Sequence, residues 1–404
     1  MRAREAAAEL LYEIERDKSY ASLVLKNKLS AMLSDSREKK LATELVYGSI
    51  RYKKHLDYIR DLFCKIKLSK LDPYTVAVLR LSLYQLFYLK NIPQSAVCNE
   101  AVKITTKCVN KGAAGFVNGL LRSVIREKGR ISYPENETKK LGITESYPKW
   151  LLTLWTEDYG FEKAKEIAIH SNKPKGASYR INYLKAPCNF VLPPDLESPQ
   201  NEKAFREGFI TVQDKGSQTA AEALEAEHGQ TVLDLCAAPG GKTCYIAQMM
   251  QNTGEIIACD IHPHRLELIR QTANRLGAEN IKCMLNDGAA DRTEWHGKFD
   301  RVIADVPCSG LGVISGKPDI KWRKQDFDKL CDLQYNILKT AMRYVKKDGK
   351  LVYSTCTVHR AENENIITKA LAENKNFVLD GEMTQLFPTD EHDGFFICRL
   401  KRCE

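Results

Sequence analysis

The sequence predicts an α/β chain in which a domain with a mostly parallel sheet follows an all-α domain and a small α+β subdomain. Apolar residues recur at helical spacing through the first 130 residues, whereas short apolar strands alternate with helices from residue 231 onward. A chain of 404 residues also exceeds the usual size of one domain. We therefore expect domains at 1–130, 146–215 and 216–404.

The helical pattern begins near the start of the chain. Residues 3–17 place Ala7, Leu10, Leu11 and Ile14 on one face of a helix. Further helices are expected at 22–32, 38–50, 52–64, 72–90, 95–108 and 113–127. These stripes of apolar residues indicate a packed core and suggest no catalytic group.

Positive charge is concentrated in this first part. Residues 1–140 contain 27 Lys and Arg residues against 15 Asp and Glu residues, a net charge of +12, and the rest of the chain has a net charge of −3. Such an asymmetry is typical of a separate nucleic-acid-binding domain, although a solvated basic helical surface would show it equally.

The thirteen cysteines are scattered from Cys64 to Cys403, their number is odd, and no pair has CxxC spacing. This pattern favours reduced thiols over disulfides or a metal site. The first twenty residues are charged and amphipathic, and no run approaches 18 apolar residues. We expect a cytoplasmic monomer with no metal and no membrane segment.

Between the two large patterns the sequence is less regular. Residues 128–145 are polar and contain Gly and Pro, which predicts a linker. Two short helices are expected near 147 and 161, followed by β-prone stretches at 177–183 and 209–212. We interpret 146–215 as a small bridging subdomain.

The last part alternates strands with helices, which predicts a parallel sheet with helices on both faces. Strands are expected at 231–235, 255–260, 281–285, 299–306 and 350–355. Helices are expected after the glycine-rich turn, at 263–276 and at 329–346, and edge strands near 377–379 and 394–400.

A turn of small residues follows the first of these strands. It consists of Cys236, Ala237, Ala238, Pro239, Gly240, Gly241 and Lys242. A strand, a glycine-rich turn and a helix together point backbone N–H groups at a ligand, and small residues allow a close approach.

Two carboxylates suit a nucleoside ligand. Asp260 ends the second strand, 20 residues beyond Gly240, where it could accept both ribose hydroxyls. Asp287 follows the third strand and could reach an adenine edge. A nicotinamide cofactor is less favoured because the turn lacks GxGxxG. The alternative is a tight turn that binds no ligand. In that case Asp260 and Asp287 would only cap nearby backbone N–H groups.

Two thiols follow the fourth and fifth strands, where ligands of open α/β sheets bind. Cys308 lies in a Pro-Cys-Ser-Gly turn beyond Asp305, and Cys356 is flanked by threonines. A thiolate is a good nucleophile towards an electron-poor heteroaromatic ring. Either cysteine could instead be a small buried hydrophobe, as we expect for Cys236, Cys259 and Cys283. These residues predict a nucleotide-cofactor enzyme with a thiol pair, and do not specify its reaction.

The motifs LDLCAAPGGKT, ACDIHPHRL, NDGAA, ADVPCSGLGVI, KPDIKW and VYSTCTVHRAENE stand in this order in the chain. In this combination the chain resembles the RsmB/Sun branch of the RNA 5-methylcytosine methyltransferases over about 205–400. The basic first domain resembles the NusB-like RNA-binding domain of that branch. The resemblance implies a Rossmann-like methyltransferase domain, S-adenosylmethionine as cofactor, and a cytosine in small-subunit (16S) ribosomal RNA as substrate.

The resemblance also implies roles for individual residues. Cys356 would attack carbon 6 of the cytosine, Cys308 would assist release, and Asp305 would hydrogen-bond the base. The turn from Cys236 to Lys242, with Asp260, Asp287 and Asp305, would hold the cofactor. A cytosine in a helix cannot present carbon 6 to a thiol, so the target must be looped or flipped out.

The chain departs from the family pattern at two positions, with Val306 where alanine is usual and Thr357 where serine is usual. Neither change removes a functional group. Three alternatives remain open: the same chemistry on transfer RNA, an RNA-binding assembly factor without activity, and methylation of carbon 5 in DNA. The second thiol, Cys356, counts against DNA because enzymes of that kind place the attacking thiol in the Pro-Cys motif.

Overall fold

The computed structural model describes residues 1–192 and 203–404. These residues divide into two compact units, which we call the helical unit and the sheet unit. The helical unit comprises Met1–Asn172 and Gly316–Arg323, and the sheet unit comprises Lys173–Ser315 and Lys324–Glu404. The first boundary falls within 146–215, and the three-part division of the chain stays a prediction.

The helical unit contains ten α-helices among the described residues. They are α1 (Ala3–Asp17), α2 (Ala21–Met32), α3 (Ser36–Arg51), α4 (Lys53–Phe63), α5 (Pro73–Tyr88), α6 (Gln94–Cys108), α7 (Lys111–Glu127), α8 (Glu137–Thr144), α9 (Lys149–Tyr159) and α10 (Phe161–Asn172). The seven helices expected up to residue 127 are confirmed, with ends displaced by at most two residues. Helix α5 is central, because its residues from Tyr74 to Leu86 are all buried.

Side-chain caps explain where several of these helices begin. Asp35, Asp72 and Asn110 each accept a hydrogen bond from a backbone N–H in the first turn of α3, α5 and α7. Pro73 occupies the first position of α5, where its missing N–H costs no helical hydrogen bond.

Helix α8 lies where the sequence predicts a linker, so that prediction was wrong over 137–144. The Asn136 side chain accepts a hydrogen bond of 2.9 Å from the Lys139 N–H and caps the helix. Leu141 and Gly142 are buried. A cap and two buried residues are enough to order a segment whose composition is polar.

The segment Gly316–Arg323 belongs to the helical unit, although in sequence it interrupts the sheet unit. The Trp322 indole donates a hydrogen bond of 2.7 Å to the Ile50 carbonyl. The ammonium of Lys321 is fully buried and donates to Asn172 at 3.0 Å. Burial holds the pKa of Lys321 well below its ordinary value.

The sheet unit contains a two-stranded and an eight-stranded sheet among the described residues. The strands are β1 (Tyr179–Ile181), β2 (Ile210–Val212), β3 (Thr231–Asp234), β4 (Glu255–Asp260), β5 (Ile281–Leu285), β6 (Phe299–Asp305), β7 (Val345–Thr355), β8 (Phe377–Leu379), β9 (Thr384–Leu386) and β10 (Phe395–Arg402). The helices are α11 (Lys203–Arg206), α12 (Lys215–Glu222), α13 (Gly241–Met249), α14 (Pro263–Leu276), α15 (Phe327–Tyr344) and α16 (Glu364–Glu373).

The large sheet has the strand order β5-β4-β3-β6-β7-β10-β8, and β9 also pairs with β10. The five neighbouring strands β5, β4, β3, β6 and β7 run parallel to one another. Strand β10 is antiparallel to its neighbours. The predicted mostly parallel sheet is thus confirmed. Strand β10 lies between β7 and β8 and so is not the edge strand that was expected. Strand β9 and helices α11, α12 and α16 were not predicted.

Alternation along the strands gives the sheet two cores. Leu233 and Tyr353 pack into a core with residues of α15 and α16, whereas Val232 and Val352 pack on the other face with residues of α13. Helices therefore cover both faces, as the alternating pattern predicts. Strands β1 and β2 pair where the β-prone stretches were expected, and the part of that region at 193–202 lies outside the described residues.

Within 1–192 and 203–404, no helix is both long and apolar enough to span a lipid bilayer.

We predict that Gly48→Ala lowers the free energy of unfolding by about 1–3 kcal/mol, because a Cβ at this position in α3 would overlap the Tyr84 ring. The control is Gly115→Ala in α7, where a Cβ would meet nothing within 4 Å. That change should stabilise the helix by up to about 1 kcal/mol. Chemical denaturation followed by circular dichroism measures both, and equal effects of the two substitutions would contradict the packing at Gly48.

Candidate active site

The glycine-rich turn joins β3 to α13 at the carboxyl edge of the parallel strands. Gly240 has φ of 101°, a left-handed conformation that favours glycine, and its N–H donates to the Ala237 carbonyl at 2.8 Å. A Cβ on Gly241 would meet nothing within 4 Å, so open space lies beside the start of α13. The turn thus has the small residues and the room that a ligand at a helix N-terminus needs.

Asp234 lies beneath this turn and is almost completely buried. Its carboxylate accepts hydrogen bonds from the Thr243 hydroxyl at 2.7 Å and from the Cys236 N–H at 3.3 Å. Burial raises the pKa of Asp234 to about 7, and the nearby Asp305 carboxylate adds to this, while the Thr243 hydrogen bond opposes it. Sequence reasoning missed Asp234 as a titrating group, because burial of a carboxylate is not visible in the sequence.

Lys242 and Asp305 form an ion pair at the same edge. The Lys242 ammonium lies 2.7 Å from Asp305 Oδ2, and the buried Ser354 hydroxyl donates to Asp305 Oδ1 at 2.8 Å. Burial acts to lower the pKa of Lys242, but the charge and hydrogen bond of Asp305 outweigh it, so that this pKa is raised. The lysine therefore stays charged and holds the Asp305 carboxylate in one orientation.

The two predicted thiols are in contact. Cys308 Sγ and Cys356 Sγ are 3.2 Å apart, and both cysteines are half-buried. The pKa of Cys308 is raised well above its ordinary value, first by its hydrogen bond with Cys356 and then by burial. A thiol that donates this hydrogen bond stabilises a thiolate on the other member of the pair, so the two sulfurs do not ionise independently.

Asp260 and Asp287, the two carboxylates that the sequence predicts to bind the cofactor, differ in exposure. Asp260 is nearly buried, and one of its oxygens accepts the His262 N–H at 2.9 Å. Asp287 is exposed and accepts the Ala289 N–H at 2.9 Å. Ile261, the residue directly after Asp260, has a large apolar side chain and is nevertheless 53% exposed. Sequence reasoning missed Ile261.

Cys236 helps to locate these groups relative to one another. The pKa of its thiol is raised, first by burial and then by the negative charges of Asp234, Asp305 and Asp260. Three carboxylates therefore surround the turn closely enough to act on one thiol. Cys259 is buried and its pKa is raised to about 12 by that burial, as expected of a core residue.

Of the predicted site residues, the structure brings Lys242, Asp305, Cys308 and Cys356 into one group, with Asp260 beside the turn. The Asp287 side chain accepts a hydrogen bond from the Ala289 N–H of its own turn. Open space at Gly241, an acceptor at Asp260 and an exposed apolar side chain at Ile261 fit the phosphate-free nucleoside part of a cofactor such as S-adenosylmethionine. No group of three or more His, Cys, Asp or Glu residues in the described part of the chain could hold a metal ion.

Comparison with known families agrees with this arrangement. A model of the 16S rRNA methyltransferase RsmB/F family matches residues 221–401, and a model of the NusB family matches residues 1–126. A probable ribosomal RNA small subunit methyltransferase B of Bacillus subtilis is 37% identical to this chain, over 99% of the chain and 98% of the relative.

Solved structures share the fold. The structure of PH0851 is similar with a TM-score of 0.80 at 22% identity and covers 100% of this chain and 99% of its own. The structure of NSun6 from Pyrococcus horikoshii with SFG, an analogue of S-adenosylmethionine, has a TM-score of 0.55 at 20% identity and covers 64% of this chain and 99% of its own.

We predict that Asp234→Asn removes a pH dependence of stability between about pH 4 and pH 7. The pKa of this carboxyl is about 7 in the fold and near 4 in an unfolded chain, so the folded state holds the proton more tightly. The contribution of Asp234 to stability is therefore full below about pH 4 and is lost as the pH rises to about 7. The loss is at most about 4 kcal/mol, since a tenfold change in proton affinity corresponds to about 1.4 kcal/mol.

Chemical denaturation at a series of pH values measures this difference. The control is Asp328→Asn, which changes an exposed carboxylate at the start of α15 and should leave the wild-type pH dependence in place. Parallel stability curves for the wild type and Asp234→Asn would contradict the raised pKa of Asp234.

Proposed function

Because the chain belongs to the RsmB/F family of 16S ribosomal RNA methyltransferases, we propose that it methylates carbon 5 of one cytosine in small-subunit ribosomal RNA. The chain is an S-adenosylmethionine-dependent RNA methyltransferase. We also propose that the protein acts as a monomer in the cytoplasm.

The observation that supports this reaction best is the contact between Cys308 and Cys356 beside a fixed carboxylate. A Sγ–Sγ distance of 3.2 Å places both thiols within reach of one atom of a substrate ring. Asp305 is held by Lys242 on one oxygen and by Ser354 on the other, so its orientation towards a base is set before the base arrives. A nucleophilic thiol beside a group that holds the ring is what covalent catalysis on a heteroaromatic base requires, and the second thiol is available to assist release.

In the proposed reaction the Cys356 thiolate adds to carbon 6 of the cytosine, and a carbon–sulfur bond forms. Asp305, with Lys242 beside it, hydrogen-bonds the base and stabilises its protonated form, so that electron density reaches carbon 5. When bound, S-adenosylmethionine would supply the electrophilic methyl group that becomes bonded to carbon 5, with S-adenosylhomocysteine as the leaving group. A base then takes the proton from carbon 5, the carbon–sulfur bond breaks to return the Cys356 thiolate, and the aromatic ring is restored. Cys308 assists this release.

The residues of the turn and of the neighbouring strand ends would hold the cofactor. The backbone of the turn, which comprises Cys236, Ala237, Ala238, Pro239, Gly240, Gly241 and Lys242, would lie against it. Asp260 would accept the ribose hydroxyls, Ile261 would cover a face of the adenine, and Asp287 would reach the adenine edge. In this arrangement the exposed area of Ile261 becomes a binding contact.

The helical unit would supply RNA affinity. Residues 1–126 match the NusB family, and the net charge of +12 over 1–140 suits a polyanion. Contacts with phosphates position an RNA without reading its sequence, so the helical unit would bring the RNA to the site while the site itself selects a looped or flipped-out cytosine.

We predict that Cys308→Ala traps a covalent protein–RNA adduct and that Cys356→Ala does not, because attack on carbon 6 continues without Cys308 whereas release does not. The measurement is an RNA-dependent, nuclease-sensitive shifted band on a denaturing gel. The two variants serve as controls for each other, since each removes one thiol of the same pair. A band in Cys356→Ala alone would reverse the two roles.

Failure of both variants to form a band is also informative when it is combined with a methylation assay. If labelled S-adenosylmethionine then methylates neither ribosomal nor transfer RNA in the presence of the wild type, the proposed reaction is wrong. Sequencing of the trapped RNA from Cys308→Ala would identify the modified cytosine.

We predict that Asp260→Asn weakens the binding of S-adenosylmethionine by about tenfold or more. Hydrogen bonds to a charged acceptor are worth about 1.5–3 kcal/mol, and the amide would offer a single neutral acceptor in place of the carboxylate. Titration calorimetry gives the Kd. The control Asp328→Asn removes an exposed carboxylate and should bind within about twofold of the wild type, and wild-type affinity in Asp260→Asn would contradict the assignment.

A further inference from the structure

A buried carboxylate lies behind the thiol pair. Glu362 ends the short 3-10 helix Arg360–Glu362, six residues beyond Cys356, and its side chain is 0% exposed. One oxygen accepts the Ser309 N–H and the Gln334 side-chain N–H, both at 2.8 Å, and the other accepts the Ser309 hydroxyl. All three of these donors are neutral groups, and a buried carboxylate depends on such hydrogen bonds.

These donors belong to the turns that hold the two cysteines. Ser309 directly follows Cys308, and Thr357 directly follows Cys356. The hydroxyls of Ser309 and Thr357 are 2.7 Å apart, and the Thr357 hydroxyl lies 3.5 Å from Glu362. One carboxylate therefore connects the backbone of the first turn to the side chain of the second.

Further hydrogen bonds hold the Cys308 turn on both sides. The Gln334 side chain, which reaches Glu362, also donates to the Pro307 carbonyl at 3.0 Å. The Gln325 side chain donates to the Ser309 carbonyl at 2.8 Å. The backbone before and after Cys308 is thus fixed, and Gln334 couples one of these restraints to Glu362.

The charge of Glu362 also acts on the thiols. The pKa of Cys308 is raised by its hydrogen bond with Cys356, by burial and by the charge of Cys356, and then by the charges of Glu362 and Asp305. Lys242 lies on the other side, close enough to Cys356 for a thiolate there to raise the lysine pKa. The carboxylates of Glu362 and Asp305 therefore act on Cys308, whereas the ammonium of Lys242 is near Cys356.

We propose that Glu362 is a positioning residue, which holds the two turns at the separation where the thiols touch and places a carboxylate against the Ser309 N–H beside Cys308, so that Cys356 is the thiol that reacts. The proposal rests on the proposed function, because it gives a reason for the assignment of Cys356 as nucleophile. A buried charge that only stabilised the fold would not control which thiol reacts.

The test uses the full chain, limiting iodoacetamide and peptide mass spectrometry at pH values from 6 to 9. In the wild type, Cys356 should be alkylated several-fold faster than Cys308. In Glu362→Gln, which keeps the shape and loses the charge, the two rates should approach each other. Methyl transfer to small-subunit ribosomal RNA should show a fall in kcat of about 10- to 100-fold with KM for RNA nearly unchanged.

Two controls separate positioning from stability. Glu382→Gln removes an exposed carboxylate and should behave as the wild type in both assays. Ile367→Val shortens a fully buried side chain of α16, so it should lower the thermal midpoint without changing the alkylation preference. An unchanged preference for Cys356 in Glu362→Gln would overturn the proposal, whether or not turnover falls.

A second variant covers the case in which Glu362→Gln does not fold. Ser309→Ala removes the hydroxyl that joins Glu362 to Thr357 and leaves the carboxylate in place, so kcat should fall several-fold while the preference for Cys356 persists. Wild-type kcat in Ser309→Ala would overturn the proposal. The alkylation assay needs no RNA, so a wild type that alkylates as expected but methylates no RNA would count against the proposed function and not against the role of Glu362.

Discussion

The ion pair between Lys242 and Asp305 connects the two halves of the site. Lys242 lies in the first turn of α13, and Asp305 ends the strand before the Cys308 turn. A single contact of 2.7 Å therefore relates the cofactor side of the site to the thiol side. Only 13% of the lysine side chain and 28% of the aspartate side chain are exposed. At such burial the removal of one partner leaves the other as an uncompensated charge, and the position of both halves then depends on the same interaction.

Much of this arrangement follows from local sequence patterns. The strands of the parallel sheet are short apolar runs between turns, and the carboxyl ends of neighbouring parallel strands meet at one edge. For this reason Asp305, Cys308 and Cys356 could be predicted to converge before any contact was known. The register of β6 with β7, in which Asp305 pairs with Ser354, is the physical basis of that convergence.

Other features could not be predicted because they depend on contacts between distant segments. A glutamate is ordinarily exposed, and nothing in the motif that contains Glu362 distinguishes a buried carboxylate from a solvated one. Asp234 was likewise part of a recognised motif, yet its raised pKa comes from burial beneath the turn. Helix α8 was missed because its composition is polar and its order comes from the Asn136 cap and the buried Leu141. In each case a local pattern is overruled by tertiary packing.

The membership of Gly316–Arg323 in the helical unit means that the limits of a domain in sequence and in space differ for this chain. A fragment cut to residues 221–401, where the methyltransferase family model matches, would contain this segment without the groups that surround it. The Lys321 ammonium would lose Asn172 and the ring of Tyr147, whose centroid lies 4.1 Å away, and Trp322 would lose its acceptor at Ile50. The segment follows the Cys308 turn by only a few residues. The limits of the family match therefore do not coincide with the limits of the compact units, because they enclose a segment whose hydrogen bonds and ring contacts are made within the helical unit.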